Sequence, residues 1–245
     1  MLKIRDLSVS VGSKKILKHI SFELSEGKTT VLMGPNGSGK STIVKAILGD
    51  DSLKCEGEVL LGRKNLLKLS PEERAKLGIF VSMQNLPEIS GVTTVQMLAE
   101  ALRAKGEDLS LDEVREKIFI EAKKLGLDRW FAEKELNVQM SGGEKKKNEI
   151  LQMLVLRPQV AILDEIDSGL DKDAVKKVSQ ALRAYQKETG ATYLIITHGF
   201  GVLDGLGAAS SVLLDQGKVL ERGGAGLIAD VRQHGYSGMT KEVLL

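Results

Sequence analysis

The sequence predicts an α/β domain built on a mostly parallel sheet, with a helical segment inserted in its middle. Three observations predict it. Short continuous apolar runs of strand length alternate with helix-favouring stretches, as expected of buried parallel strands joined by crossover helices. One of those runs ends in a glycine-rich turn that leads straight into a helical pattern. From Thr93 to Gln139 the pattern changes to roughly 45 residues of charged, helix-favouring sequence with little strand character.

The elements follow in order. Leu2–Val11 and Ile16–Leu24 alternate apolar and polar residues around Gly12-Ser13, which predicts an antiparallel hairpin at one sheet edge. Thr29–Met33 is an apolar strand that ends at Gly34, with a helix through Leu48. Val59–Leu61 is a short strand, preceded by a polar turn that holds Cys55. Pro71–Leu77 opens a helix with proline in its first turn. Ile79–Met83 is strand-like, and the next residues, through Val92, mix apolar residues with breakers in an expected surface loop that exposes Leu86, Ile89 and Val92. Strands return at Val160–Leu163, Thr192–Thr197 and Ser211–Leu214, with Asp171–Glu188 helical between the first two. The expected organisation is a core of residues 1–85 and 158–245, interrupted by a helical subdomain over residues 86–157.

Composition narrows the classes of function. The chain has 245 residues, 42% of them hydrophobic, enough for one large domain or a core with an inserted subdomain. No run approaches the roughly 18 consecutive apolar residues of a membrane span, so no direct membrane insertion is expected. Charges in the first six residues, Met1 to Asp6, argue against an export signal. Cys55 is the single cysteine, which excludes an internal disulfide and suits a reducing cytoplasm. With 35 basic and 33 acidic residues the formal charge is +2, which gives no electrostatic reason to expect nucleic-acid binding.

Three clusters carry chemistry. Gly34-Pro35-Asn36-Gly37-Ser38-Gly39-Lys40-Ser41, followed by Thr42, fits the phosphate-loop pattern. Glycines let successive amides point at phosphate oxygens, and the helix start adds its positive end. Lys40 is then expected at the β- and γ-phosphates, and Ser41 at Mg²⁺. The strand Val160–Leu163 ends in Asp164-Glu165, and an acid at the tip of a core strand needs a cation or donors. Asp164 is the candidate Mg²⁺ ligand and Glu165 the candidate general base. Ser141-Gly142-Gly143-Glu144 opens a helix; it reads as a capping box and equally as an anion site, and both can hold.

These motifs together resemble the ABC-type nucleotide-binding domains. The phosphate loop, Gln84 after its strand, the signature Ser141–Glu144, Asp164-Glu165, Ser168–Asp171 and His198 at a strand end occur in the family's order along the whole chain. Asn137–Leu151, Gln152-Met153 and Ala161–Asp173 are similar in particular to the SufC ATPases of the SUF iron–sulfur assembly system. Met140, Glu144, Ile166 and Asp167 stand where transporter domains usually carry other residues. Lys147 replaces the usual SufC arginine, Gly199-Phe200 replaces a more polar turn, and no adenine-stacking ring lies near Val11.

The resemblance implies an ATP-dependent homodimer. ATP on Gly34, Asn36, Gly37, Ser38, Gly39, Lys40, Ser41 and Thr42 of one copy would be covered by Ser141, Gly142 and Gly143 of the other. Gln84 would link Mg²⁺ to the helical segment and His198 would hold the γ-phosphate and the attacking water. The implied partner is a SufB/SufD-like scaffold protein, with the energising subunit of a membrane transporter as the competing function. A DNA-associated ATPase finds no coiled-coil insert and no basic face to support it.

Overall fold

The computed structural model describes residues 1–82, 86–197 and 199–242, with residues 237–242 described by backbone. Leu2–Val11 (β1) and Lys14–Leu24 (β2) pair antiparallel across Gly12-Ser13, as their alternation predicts. Thr29–Met33 (β3) is buried at every residue, and the chain runs from it through the phosphate loop into Lys40–Leu48 (α1). Leu53–Leu61 (β4) pairs with β1, and Lys64–Asn65 (β5) extends that edge. β4 is longer than expected, and Cys55 lies inside it opposite Val9, not in a turn. The polar run around Cys55 is strand because β1 supplies the ladder bonds, a non-local cause that local propensity does not register.

Pro71–Lys76 (α2) and Ile79–Val81 (β6) follow. Ile89–Thr93 (β7) is strand where a loop was expected, and Ile89 is exposed on it. Thr94–Ala104 (α3) and Leu111–Leu125 (α4) come next, then Glu135–Leu136 (β8), which pairs with β7 and brackets the two helices. Gly142–Leu156 (α5) completes the helical part.

The chain then returns to the core. Val160–Asp164 (β9), Lys172–Thr189 (α6), Thr192–Ile196 (β10), Gly201–Leu206 (α7) and Ser210–Asp215 (β11) alternate strand with helix. Lys218–Gly223 (β12) and Ala225–Glu242 (α8) close the chain, and no sequence signal had marked either. Among the described residues the main sheet has six strands in the order β12-β11-β3-β10-β9-β6, parallel except for β12. A four-stranded antiparallel sheet, β2-β1-β4-β5, lies beside it. One apolar cluster joins β1, β2 and α1 to one face of the main sheet; a second joins α3, α4 and α5 to the other face with α6.

The strand order places the chemistry. β3, β10 and β9 are neighbours and run the same way. The phosphate loop, Thr197 and Asp164-Glu165 therefore emerge side by side at the carboxyl edge, where open α/β sheets bind ligands.

Arg74 fixes the helix that follows the phosphate loop. The last carbonyls of a helix lack intrahelical donors. Here the buried Arg74 Nη1 donates to Ala46 and Ile47 carbonyls, both at 2.8 Å, and Nε donates to Leu69 at 3.0 Å. Burial pulls its pKa below the usual arginine value. Replacing it by methionine is expected to cost about 2–3 kcal/mol, since two buried carbonyls lose a charged donor. That corresponds to a fall in Tm of roughly 5–10 °C by thermal denaturation. An unchanged Tm would mean that the carbonyls find another partner.

Candidate active site

The loop is shaped by close passage between strands. Gly34 adopts φ 150, and a Cβ there would collide with the Leu214 carbonyl oxygen of β11 and with the Ser38 hydroxyl. Only glycine passes. Asn36 and Gly37 form the exposed tip, whereas Ser38 and Gly39 are buried. Gly39 is left-handed and α1 begins with no side-chain cap, although α2, α3, α4 and α5 each carry a capping box. The first amides of α1 thus keep their capacity for an anion. The buried Ser38 Oγ also has no hydrogen-bond partner among the described residues, another donor suited to a phosphate oxygen.

Lys40 is 8% exposed, and its ammonium donates to the Gly34 and Pro35 carbonyls at 2.8 and 3.0 Å. Burial pulls its pKa down, and the charges of Asp164 and Glu165 push back up. Ser41 is exposed at the first turn of α1, and Thr42 beside it is half-buried.

Asp164 ends β9, 6% exposed, and its amide donates to Ser82 Oγ at 2.6 Å. Ser82 in turn donates its own amide to Ile162. Sequence reasoning missed Ser82; a lone serine after an apolar run was the only signal. Glu165 is left-handed at φ 50, and its amide donates to the Ile196 carbonyl at 2.8 Å, which ties it to the end of β10. The Thr197 hydroxyl lies 2.7 and 2.8 Å from the two Asp167 oxygens and accepts from the amides of Gly199 and Phe200. Gln84 and His198 lie outside the described residues.

The phosphate loop, Asp164 and Glu165 are thus brought together. Ser141, Gly142 and Gly143 are not joined to them. They sit at the start of α5, where Ser141 Oγ accepts from the Glu144 amide at 3.2 Å and the Glu144 carboxylate accepts from the Ser141 amide at 3.0 Å. Ser141 and Gly142 are exposed, and Gly143 faces Leu170. Among the described residues no hydrogen bond connects them to residues 34–42.

Residues 17–168, more than half of the chain, match the family described as ABC transporter. The chain belongs to that family. A "Probable ABC transporter ATP-binding protein" of Streptococcus pyogenes is 39% identical over 248 residues, covering 99% of this chain and 96% of its own. "Vegetative protein 296" of Bacillus subtilis is also 39% identical, over 99% of this chain and 94% of its own. The solved ATP-binding cassette MJ0796, a dimer in a post-hydrolysis state bound to ADP and Pi, matches with a TM-score of 0.80 at 27% identity, over 91% of this chain and 98% of that one. As an ABC-type ATPase the chain hydrolyses ATP. No helix among the described residues is long and apolar enough to cross a membrane.

The signature of this ABC-type ATPase carries its own titration. The Ser141 amide, then the Ser141 hydroxyl, then Lys134 hold the Glu144 carboxyl at about 2, below its ordinary 4.5. A depressed carboxylate stabilises the fold fully above its ordinary value and loses that contribution as pH falls toward the folded value. The Tm difference between wild type and Glu144→Gln is therefore expected to be constant from neutral pH to about 5, and to shrink as pH falls from 4.5 toward 2. A difference independent of pH would show that the charge plays no part in the cap.

Proposed function

We propose that two copies of this ATPase close around two Mg·ATP molecules, each bound by the phosphate loop of one copy and by Ser141, Gly142 and Gly143 of the other. The observation that supports this reading is the exposed signature, whose chain-internal contacts do not reach the loop. A loop with cations and donors on one side only leaves the γ-phosphate half covered, and charge developing in phosphoryl transfer needs donors on both sides. MJ0796, a dimer bound to ADP and Pi, supplies the analogy.

In this reading Lys40, Ser38 and the loop amides hold the phosphates. Ser41, Asp164 and Gln84 would hold Mg²⁺; a serine hydroxyl and a buried carboxylate beside a phosphate loop are the oxygen donors that a hard cation takes. When bound, Mg²⁺ neutralises phosphate charge. Glu165 accepts a proton from the attacking water, and His198 donates to the γ-phosphate. Lys40→Ala is expected to abolish turnover, and Glu165→Gln to bind ATP while lowering hydrolysis by about 10²–10⁴. The glutamine variant should elute as a dimer from size exclusion in Mg·ATP. If it stays monomeric while wild type dimerises under saturating ATP, Glu165 has another role.

The work done is proposed to be iron–sulfur cluster assembly in the cytoplasm, through a scaffold of the SufB/SufD kind, with no nucleic acid involved. Asp167 and Glu144, both unlike transporter residues, are structurally engaged here, one by Thr197 and the other in the α5 cap. Residues 86–157 would move with nucleotide state and carry the signal. An apolar cavity of about 280 Å³ lies between α2, β6 and α3, lined by Leu48, Ala75, Phe80, Ala101 and Pro158. A partner seated there would feel that motion. The names of the relatives favour instead a subunit that energises a membrane permease. Affinity purification from the native cell separates the two. A cluster scaffold is the expected companion, lost in Ile89→Asp with basal hydrolysis intact; recovery of an integral membrane permease without a scaffold would leave the transporter reading standing.

A further inference from the structure

The signature stands at the end of a run whose backbone is held by side-chain amides. β8 hands the chain to α5 across Asn137, Val138, Gln139 and Met140. Asn137 and Gln139 are both left-handed, at φ 62 and φ 54, a conformation that a side chain adopts at a cost. Asparagine bears that cost best, because its short amide reaches partners close to its own backbone.

Asn137 is only 2% exposed, and its amide is engaged at both ends. Nδ2 donates to the Pro87 carbonyl at 2.9 Å, and Oδ1 accepts from Asn148 Nδ2 at 3.1 Å. The direction of this chain is dictated from Pro87. A carbonyl only accepts, so Asn137 turns its nitrogen outward and its oxygen inward, and Asn148 must answer with a donor. Asn148 lies about two turns into α5, fully buried, on the same helix face as Ser141 and Lys145. Its nitrogen also lies 4.0 Å from the Met140 sulfur, beside the signature. Its own oxygen has no hydrogen-bond partner among the described residues. For packing alone, an apolar side chain of similar size would serve better, since it would orphan no oxygen. Lys145 Nζ adds an outer contact, donating to Glu88 at 2.6 Å, and β7 pairs with β8 behind it. The approach to the signature is thus clamped between residues 87–88 and α5.

We propose that Asn137 and Asn148 are positioning residues for the signature, holding the start of α5 as Ser141, Gly142 and Gly143 need it to meet the nucleotide of a second copy. The inference rests on the two-copy reading above. Among the described residues neither amide bonds to residues 34–42, so the pair acts on the closing of two copies and not on ATP binding by one. Without it the left-handed run is free to leave its conformation, and closure has to order it again, once at each of two signatures.

The test is sedimentation velocity over a series of protein concentrations in saturating Mg·ATP, on the full chain carrying Glu165→Gln as the parent. ATP affinity of the dilute monomer and circular-dichroism melting are measured on the same samples. Asn137→Gly keeps the left-handed backbone without strain and removes only the amide. It is expected to raise the midpoint of dimerisation about tenfold, roughly threefold for each signature, with ATP affinity unchanged. Asn148→Leu is expected to raise it as much, while melting close to the parent because the orphaned oxygen leaves with the donor. Glu88→Gln breaks only the outer ion pair and is expected to shift the midpoint less than about twofold. The parent's midpoint in either asparagine variant, or a rise that merely follows weakened ATP binding by the monomer, would overturn the proposal and leave the amides as packing. A parent that stays monomeric at every concentration would instead sink the two-copy reading, and this inference with it.

Discussion

Lys40 places a cation inside the loop to which it belongs, and the rest of the site is arranged around that burial. An ammonium removed from water is costly unless oxygens surround it. Two loop carbonyls accept from it, and the carboxylates of Asp164 and Glu165 supply the opposing charge. Those acids can do so only because β9 stands one strand away from β3, with β10 between them and all three running parallel. The fold's strand order is thus part of the electrostatics of the site. The Gly34 passage beside β11 and the Arg74 contacts at the far end of α1 hold the two ends of the same segment.

The signature stands apart from this arrangement. Its serine and glutamate satisfy each other across the first turn of α5 and leave the glycines on the surface. A capping box spends the Ser141 hydroxyl within its own helix, but the helix start still presents amides outward. That geometry suits a surface that meets an anion held by something else, which is why the function proposed above makes a second copy the complement of the loop.

Much of this was legible in the sequence. Thr29–Met33, Val160–Leu163 and Thr192–Thr197 are nearly pure apolar runs because those strands are covered on both faces, and burial of that kind leaves an unambiguous trace. The phosphate loop and the acidic pair are contiguous strings, so their chemistry can be read without the fold. β4 was read short because residues 54–58 are edge positions whose pairing comes from β1. β7 and β8 were missed because a two-residue partner leaves no periodicity. Ser82 and the Thr197–Asp167 pair were invisible for one shared reason. Each acts on a residue distant in sequence, and only the topology brings them to their places.

The central claim is that the nucleotide site is completed by a second copy. Hydrogen–deuterium exchange with Mg²⁺ and a non-hydrolysable ATP analogue, at low and at high protein concentration, addresses it most directly. The account predicts that the amides of residues 34–41 are protected at both concentrations, while those of residues 141–144 gain protection only at the higher one. Protection of the loop with unchanged exchange at residues 141–144 at every concentration would contradict it.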